Sequence, residues 1–561
     1  MLGASRVSMA QGLPKAGEGP GTIDSNMSNS NIGARKNRNI RDHLFVINGI
    51  INDVKNSSNS QDIDIQIYDV AKCFDKLEYT NTAVDLFNAG IQDDKFIVVA
   101  NSNKNCSVAI KTPWGLTPRT NFTNIEMQGT VLAGIKCSVS IDSIGKEALK
   151  NIHPITYKYK SCTSIPPLAL IDDVIAVATC SPDSVKTCAT IKAKIEAKQL
   201  SLGDKKCFQM HVGKFNSECV TSLQLNGKSM LKTTGERYLG DILSSDNKRD
   251  SHINDRYNKG ISYVNQILSI LKEISFGYYY YEQALQFRNA KLINGMLCSV
   301  EALYGLTSSH IEKLERCDRY FMRKIFNAPR TTPTESFYLE TGALPIRFII
   351  MARRLLFYWS ILNKPESELV KQVFNTQKLK PVKNDWCLTV VEDLQQLDIC
   401  NSENEIANMK KSTFKTLITN KIRELASRFL NNLKDRHIKS KKLKNSHAMQ
   451  TYLMSSELTT DEKQLLFSFR TNTFQCKENY KFKYGSDLNC EICSQIDSQP
   501  HLLTCKVTDN LDLSGVKYSD IFGTVKEQIK IIKILKQIVS KRNLLLINSS
   551  STCGSQAHQL S

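Results

Sequence analysis

Two stretches of this chain carry carboxylates at the end of an apolar run. In Ile63-Asp64-Ile65-Gln66-Ile67-Tyr68-Asp69 the isoleucines alternate with polar residues, which is strand spacing, and the run ends at Asp69, shortly before Phe74 and Asp75. In the stretch from Leu168 to Ala178 two short apolar strands flank Asp172 and Asp173, which reads as a hairpin with the acids at its turn. Two strands of one sheet that each end in Asp can bring carboxylates together. Repulsion disfavours such a cluster, and divalent ions relieve it. Hard oxygen ligands suit Mg²⁺, and two such ions about 3.5–4 Å apart would stabilise the attacking and leaving oxygens of a phosphoryl transfer. Taken alone, an Asp-Asp turn is usually a solvated hairpin tip.

A second cluster is built from softer ligands. Cys490, Cys493, His501 and Cys505 have the number and spacing of a closed, tetrahedral Zn²⁺ site, structural rather than catalytic because no coordination position is left open. Cys476 lies outside the pattern and reads as a buried thiol. Just upstream, Tyr480, Phe482 and Tyr484 alternate with Lys481 and Lys483, with Lys477 close by. Rings and cations in alternation stack on unpaired bases and bind phosphates, but the same pattern describes an ordinary edge strand. The run Lys434, Arg436, Lys439, Lys441, Lys442 and Lys444 reads as a solvated helix end, a nucleic-acid channel lining or a nuclear-import signal.

The elements that must position these groups follow from composition and periodicity. The chain has 561 residues, 41% hydrophobic and 23% charged, a globular composition long enough for several domains. Lys and Arg number 74 against 55 Asp and Glu, and the net charge of +19 favours a polyanionic partner, nucleic acid ahead of a membrane surface. The most apolar stretch, Ile346 to Leu362, is broken by Arg347, Arg353 and Arg354, so no membrane span is expected. The start MLGASRVSMAQG has no apolar core of a signal peptide, so an intracellular protein, nuclear or cytoplasmic and not secreted, is expected. Seventeen scattered cysteines suit a reducing compartment. Residues 1–30 are too polar to order themselves. Leu44, Phe45, Ile47, Ile50 and Ile51 have helical spacing, and so do Val131, Leu132, Ile135 and Val139. Strands and helices mix from about 60 to 245. Beyond 255 the pattern is helical, with one helix through Leu285–Leu303, one through Ile311–Met322, one through Phe414–Leu433 and a last one over about Val525–Leu545 with its cations outward.

In order along the chain these stretches resemble the reverse transcriptase of non-LTR retrotransposons, including jockey-type elements. NIGARKNRNIRDHLFVINGI resembles the fingers–palm joint, IQIYDVAKCFDKL the first catalytic motif and MQGTVLAGI the Gln-Gly helix. LALIDDVIAVA resembles the double-aspartate motif, KKCFQMHVG the lysine motif, ERYLGDIL the primer grip, and RYFMRKIFNAPRTTPTESFYLETGALPIR part of the thumb.

The resemblance implies an α+β fold: a right-hand polymerase palm of antiparallel sheet and helices, a helical thumb, a small zinc knuckle and a C-terminal helix. It divides the chain into a partial fingers segment (31–60), palm (61–245), thumb (246–360), basic helical region (361–478), CCHC knuckle (479–508) and C-terminal helix and tail (509–561). It implies an RNA-directed DNA polymerase in which Asp69 and Asp172 hold two Mg²⁺, with the Val70 carbonyl as a further ligand and Asp173 in support. Phe74 would exclude a 2′-hydroxyl, although it reads equally as a core ring. Gln128 and Gly129 would meet the template base or incoming nucleotide, and Lys206, or its neighbour Lys205, the departing pyrophosphate. Tyr238, Leu239 and Gly240 would hold the primer end or form a plain turn. Arg35, Arg38 and Arg41 would bind the triphosphate or touch RNA phosphates. The implied partners are an RNA template, a DNA primer or target and deoxynucleoside triphosphates. Complete enzymes of this group have larger fingers upstream, so the chain reads as truncated at its N-terminus, and the residues after Cys505 leave no room for an endonuclease. Two departures stand out: Leu170-Ile171 replaces the usual aromatic start of the double-aspartate motif, and the fingers are short. The competing expectation is an inactive remnant that still binds nucleic acid.

Overall fold

Alternating isoleucines become the central strand of a sheet. In the computed structural model, which describes residues 23–102, 107–121, 132–158, 160–179, 181–213, 221–274 and 276–556, β1 is Ile63–Asp69. The other strands of this sheet are β2 (Leu168–Leu170), β3 (Asp173–Thr179), β4 (Phe208–Val212) and β5 (Leu231–Lys232). Their order is β5-β4-β1-β3-β2, antiparallel except for the parallel pair β4–β5.

Both faces of β1 are covered. Ile63, Ile65 and Ile67 pack with Ile175, Val177, Met210 and helix α1 (Ile40–Asn56), whose Leu44, Phe45, Ile47 and Ile51 are fully buried. Tyr68 and Val70 face the opposite way, against Cys137 and Ile141 of α2 (Ala133–Leu149) and Cys188, Ile191 and Ile195 of α3 (Ser181–Ala197). Asp64 and Gln66 are therefore buried despite their polarity. Hydrogen bonds satisfy them: Gln209 Nε2 donates to Asp64 at 3.1 Å and Gln66 Nε2 to the Ser184 carbonyl at 2.9 Å.

A two-stranded hairpin follows, β6 (Gly235–Tyr238) and β7 (Asp241–Ser244). Leu239 at φ 47° and Gly240 at φ 83° occupy its two-residue turn, the left-handed pair that matches strand twist.

The rest is helical. α4 (Asp250–Glu273), α5 (Ser308–Ile325) and α6 (Ile346–Leu362) lead to α7 (Lys411–Arg436) and a final helix α8 (Val525–Gln556). Residues 369–426 bury their apolar groups with the sheet and α1, whereas Leu430 onward joins the core of α4, α5 and α8. No helix among the described residues is long and apolar enough to cross a membrane.

Three expectations are corrected. Leu285–Leu303 is not one helix: Tyr280–Phe287 passes into a π-helical stretch Arg288–Ile293, the short helix Asn294–Met296 and a 3₁₀ turn Val300–Ala302. Buried Arg288 lies in the π stretch and makes two bonds to Asp318, at 2.6 and 2.7 Å, and one to the Leu344 carbonyl at 3.0 Å. The polar segment before Asn31 is partly built in. Ser28 donates to the Asp142 carboxylate from its backbone and hydroxyl at 3.0 and 2.7 Å, and Met27 is buried. Finally, the cations of α8 do not all point outward, because Arg542 reaches the buried Asp497.

Candidate active site and metal centre

The register of β1 against β3 brings the acidic motifs together. Asp69, the last residue of β1, lies directly opposite Asp173, the first of β3, and the Val70 amide donates to the Asp172 carbonyl at 3.3 Å. Asp172 sits in the turn between β2 and β3, preceded by Ile171 at φ 56°. A β-branched residue in the left-handed region is strained and persists only where its surroundings impose it. Here the two-residue turn between paired Leu170 and Asp173 calls for it, and a strap packs against that turn. The Ile32 amide donates to the Ala169 carbonyl at 3.1 Å and the Ala169 amide to Ser30 at 3.0 Å, adding an edge to β2. Asn31 Nδ2 donates to the Ser138 carbonyl of α2 at 2.9 Å, and its Oδ1 accepts from Gly33 at 2.9 Å. Gly33 has no room for a side chain: a Cβ there would lie 2.9 Å from the Ile171 nitrogen.

The electrostatics fit a cation. Burial, then repulsion from Asp172 and Asp69, pushes the Asp173 carboxyl up to about 6, with Lys206 opposing. Burial is also the largest effect raising Asp172, and Asp69 adds to it. Lys206 Nζ lies 3.1 Å from Asp69 Oδ1, and that hydrogen bond raises the ammonium's own pKa. Of the two adjacent lysines, Lys206 reaches Asp69. Half-buried carboxylates that resist ionisation together are a donor set suited to Mg²⁺. They are not drawn tight: among the described residues, the group of three or more possible ligands lying within 4.8 Å of one another is the Cys–His cluster.

The other expected site residues are distributed as follows. Val70 is buried, and Phe74 packs half-buried against the Tyr68–Val70 cluster, so its ring is at least partly a core group. Gln128 and Gly129 lie outside the described residues. Tyr238 is 2% exposed and its hydroxyl is 3.4 Å from His43 Nδ1, which makes the ring a core group and leaves the turn Leu239–Gly240 nearer the surface. Arg35 donates to the Ser28 and Asn31 carbonyls, Arg38 pairs with Glu368, and Arg41 pairs with Glu301 at 3.3 Å while lying over the Phe357 ring. All three guanidiniums have protein partners.

Periodicity and motif spacing did not reveal the supports. Besides Asn31 and Gly33, buried Asp241 is one of them. It accepts from Asn48 at 2.9 Å and pairs with His252 at 2.6 Å, joining the β6–β7 hairpin to α1 and α4. Burial alone would raise the Asp241 carboxyl, but His252, Arg249 and Asn48 hold it below the usual carboxylate range. These partners are up to some two hundred residues apart, so no local pattern marks them.

The four zinc-type ligands converge. Cys490 Sγ is 3.9 Å from Cys505 Sγ, Cys493 Sγ is 3.8 Å from Cys505 Sγ, and His501 Nε2 is 3.2 Å from Cys493 Sγ. A tetrahedron with Zn–S bonds of about 2.3 Å has edges of about 3.8 Å, so the cluster could hold Zn²⁺ with little movement. A tight turn presents the first two cysteines: the Cys490 amide donates to Gln495 at 2.6 Å and the Ser494 amide to Cys490 at 2.8 Å. The 3₁₀ turn Pro500–Leu503 presents His501. Asp497 anchors the loop, bound by Arg542 of α8 through two contacts of 2.7 Å and by the Lys477 amide at 2.9 Å.

Upstream, the alternating segment is not a strand. Lys477–Tyr480 is a 3₁₀ turn and Lys481–Tyr484 a helical turn. Lys477 is held by Asp487 at 3.0 Å, and Lys439 of the basic run lies over the Tyr480 ring, so two sequence-distant basic segments share a surface on which Phe482 is 78% exposed.

No protein-family model matches the chain, and no curated protein matches it in sequence. Among solved structures it is similar to telomerases. One is telomerase of Candida tropicalis in complex with the TWJ fragment of telomeric RNA, at 11% identity and TM-score 0.35, over 69% of this chain and 53% of that one. Another is the Candida albicans complex with the same kind of fragment, at 11% identity and TM-score 0.30, over 52% and 51%. A third is apo telomerase of Candida tropicalis truncated from the C-terminal domain, at 14% identity and TM-score 0.29, over 39% and 40%. The chain spans between 40% and 57% of the telomerase chains it matches. Likeness at this level fixes neither family nor function.

Proposed function

We propose that the chain is an RNA-directed DNA polymerase of the non-LTR retrotransposon type, which extends a DNA primer on an RNA template. The observation that carries this reading is the register pairing of Asp69 with Asp173, with Asp172 in the adjoining turn and Lys206 on Asp69. Asp69 and Asp172 are the residues that would hold Mg²⁺, with Asp173 in support. Magnesium, when bound, supplies charge stabilisation to the attacking and leaving oxygens.

The chain's own groups account for the rest. The strap Ser30–Gly33 and the Val70–Asp172 bond fix where the turn presents its acid. Lys206, 72% exposed, can exchange Asp69 for the pyrophosphate and offset its growing charge. The cationic surface around Lys439, Lys481 and Lys483, with exposed Phe482, suits a nucleic-acid strand. Cys490, Cys493, His501 and Cys505 are the residues that would hold Zn²⁺, which would tie their loop in shape.

A second reading, a catalytically silent nucleic-acid-binding remnant, is favoured by one observation: Arg35, Arg38 and Arg41 are bound to protein groups rather than offered to a triphosphate. Primer extension on an RNA template with Mg²⁺ separates the two. Extension by the wild type that Asp172→Asn abolishes supports the polymerase. Salt-sensitive RNA binding by both proteins, with extension by neither, supports the remnant.

A further inference from the structure

Residues 107–121 form a narrow ribbon. Ser107–Val108 pairs with Thr120–Asn121, and Lys111–Thr112 pairs with Gly115–Leu116. Thr112 Oγ1 donates to the Gly115 carbonyl at 2.8 Å and accepts from the Trp114 amide at 3.3 Å, which closes the tip. Gly115 at φ 127° completes the turn.

No residue of the ribbon is buried. Trp114 is 94% exposed, Leu116 73% and Ile110 65%. A lone two-stranded hairpin is at best marginally stable in water, and a cluster of large exposed apolar groups marks an interaction surface. The charge pattern gives the partner's chemistry: Lys111 and Arg119 are exposed, and the fifteen residues contain no carboxylate. A flat indole at the tip, with cations behind it, matches an unpaired base followed by its phosphates.

We propose that this ribbon binds single-stranded RNA, with a base stacked on Trp114 and backbone phosphates on Lys111 and Arg119. The choice of RNA over DNA rests on the polymerase reading; the stack does not.

The chain's three tryptophans make the test direct. Trp386 is 1% exposed, and Trp359 is part-buried and donates to the Met409 carbonyl at 3.0 Å, so Trp114 is the ring a ligand can reach. Oligouridylate added to the full chain is expected to quench the red-shifted part of the emission. Trp114→Ala should remove that quench and weaken binding about tenfold, and Trp114→Tyr should restore affinity. Lys111→Gln with Arg119→Gln should lower the slope of log affinity against log salt by about 1.4. Binding seen by anisotropy with unchanged Trp114 emission overturns the proposal. So does a blue shift caused by phosphatidylserine vesicles where RNA has no effect, or a quench as strong with blunt duplex. An equal quench by oligothymidylate overturns the choice of RNA. Asp172→Asn should keep the quench, and a quench in a wild-type chain that fails to extend a primer refutes the polymerase reading alone.

Discussion

Replacing Gly33 by Ala tests whether the strap holds the acidic turn. A Cβ at this position would lie 2.2 Å from Ser138 Oγ, 2.9 Å from the Ile171 nitrogen and 3.3 Å from Asn31 Oδ1. These neighbours differ in how they can give way. Ser138 Oγ is a rotatable hydroxyl without a hydrogen-bond partner, so it can turn aside, at about 1 kcal/mol for leaving its rotamer. The Ile171 nitrogen is backbone, in a residue already at φ 56° with little conformational room left. Overpacking a dense interior costs about 1–3 kcal/mol, and with two contacts shorter than any ordinary Cβ approach the expected loss for Gly33→Ala is about 2 kcal/mol. In a Ser138→Ala background one contact disappears, and the loss should fall to about 1 kcal/mol. The catalytic effect should not recover in the same way, because the contact that remains is the one that displaces Asp172. Urea unfolding followed by circular dichroism gives the stabilities, and primer extension with Mg²⁺ tests the proposed activity. The reasoning is refuted if Gly33→Ala unfolds like the wild type, or if Ser138→Ala restores stability and extension together.

Three further outcomes follow from the geometry. Arg542→Ala leaves Asp497 buried with its paired cation gone, so the knuckle should lose about 3 kcal/mol of local stability, read as faster amide exchange over residues 489–505. Asp497→Asn in that background should recover part of it. Chelating zinc should raise exchange over the same loop and leave protection of β1 and β3 unchanged, since the cysteines and the sheet belong to separate cores. His43 is fully buried, and burial is the largest of the effects that lower its imidazole from 6.5 to about 3. The unfolded chain therefore binds a proton that the folded one refuses, so stability is lost as pH falls below 6.5, by up to about 1.4 kcal/mol per pH unit. Urea midpoints measured from pH 7 down to about 4 should fall less steeply for His43→Gln.

What the sequence made legible was chemistry stated by residue type or by local spacing. The alternating isoleucines delimit β1 to its final Asp69, and the apolar run broken by two acids delimits β2 and β3. The four ligands of the knuckle lie within sixteen residues, so the chain itself limits how far apart they can be. The carboxylates were harder, because Asp69 and Asp173 meet only through strand register. A slip by one residue would have turned one of them to the opposite face. The ring–lysine alternation at 480–484 has the period of a strand, yet the segment is helical. Tyr480 donates to the Thr473 carbonyl and Lys477 is held by Asp487, both local bonds that offer the backbone another conformation. Arg542 could not be read as inward-facing, since its reason is a buried aspartate forty-five residues upstream. Asn31 and Gly33 lay inside a stretch noted for its arginines, and it is those two uncharged residues that brace the acidic turn. Groups that react are chosen by type and show in the sequence, whereas groups that hold them are chosen by partner and show only in the fold. The acidic turn is therefore more exposed to damage from its unmarked supports than its motif suggests, which is why a single added methyl at Gly33 is expected to reach Asp172 without touching it.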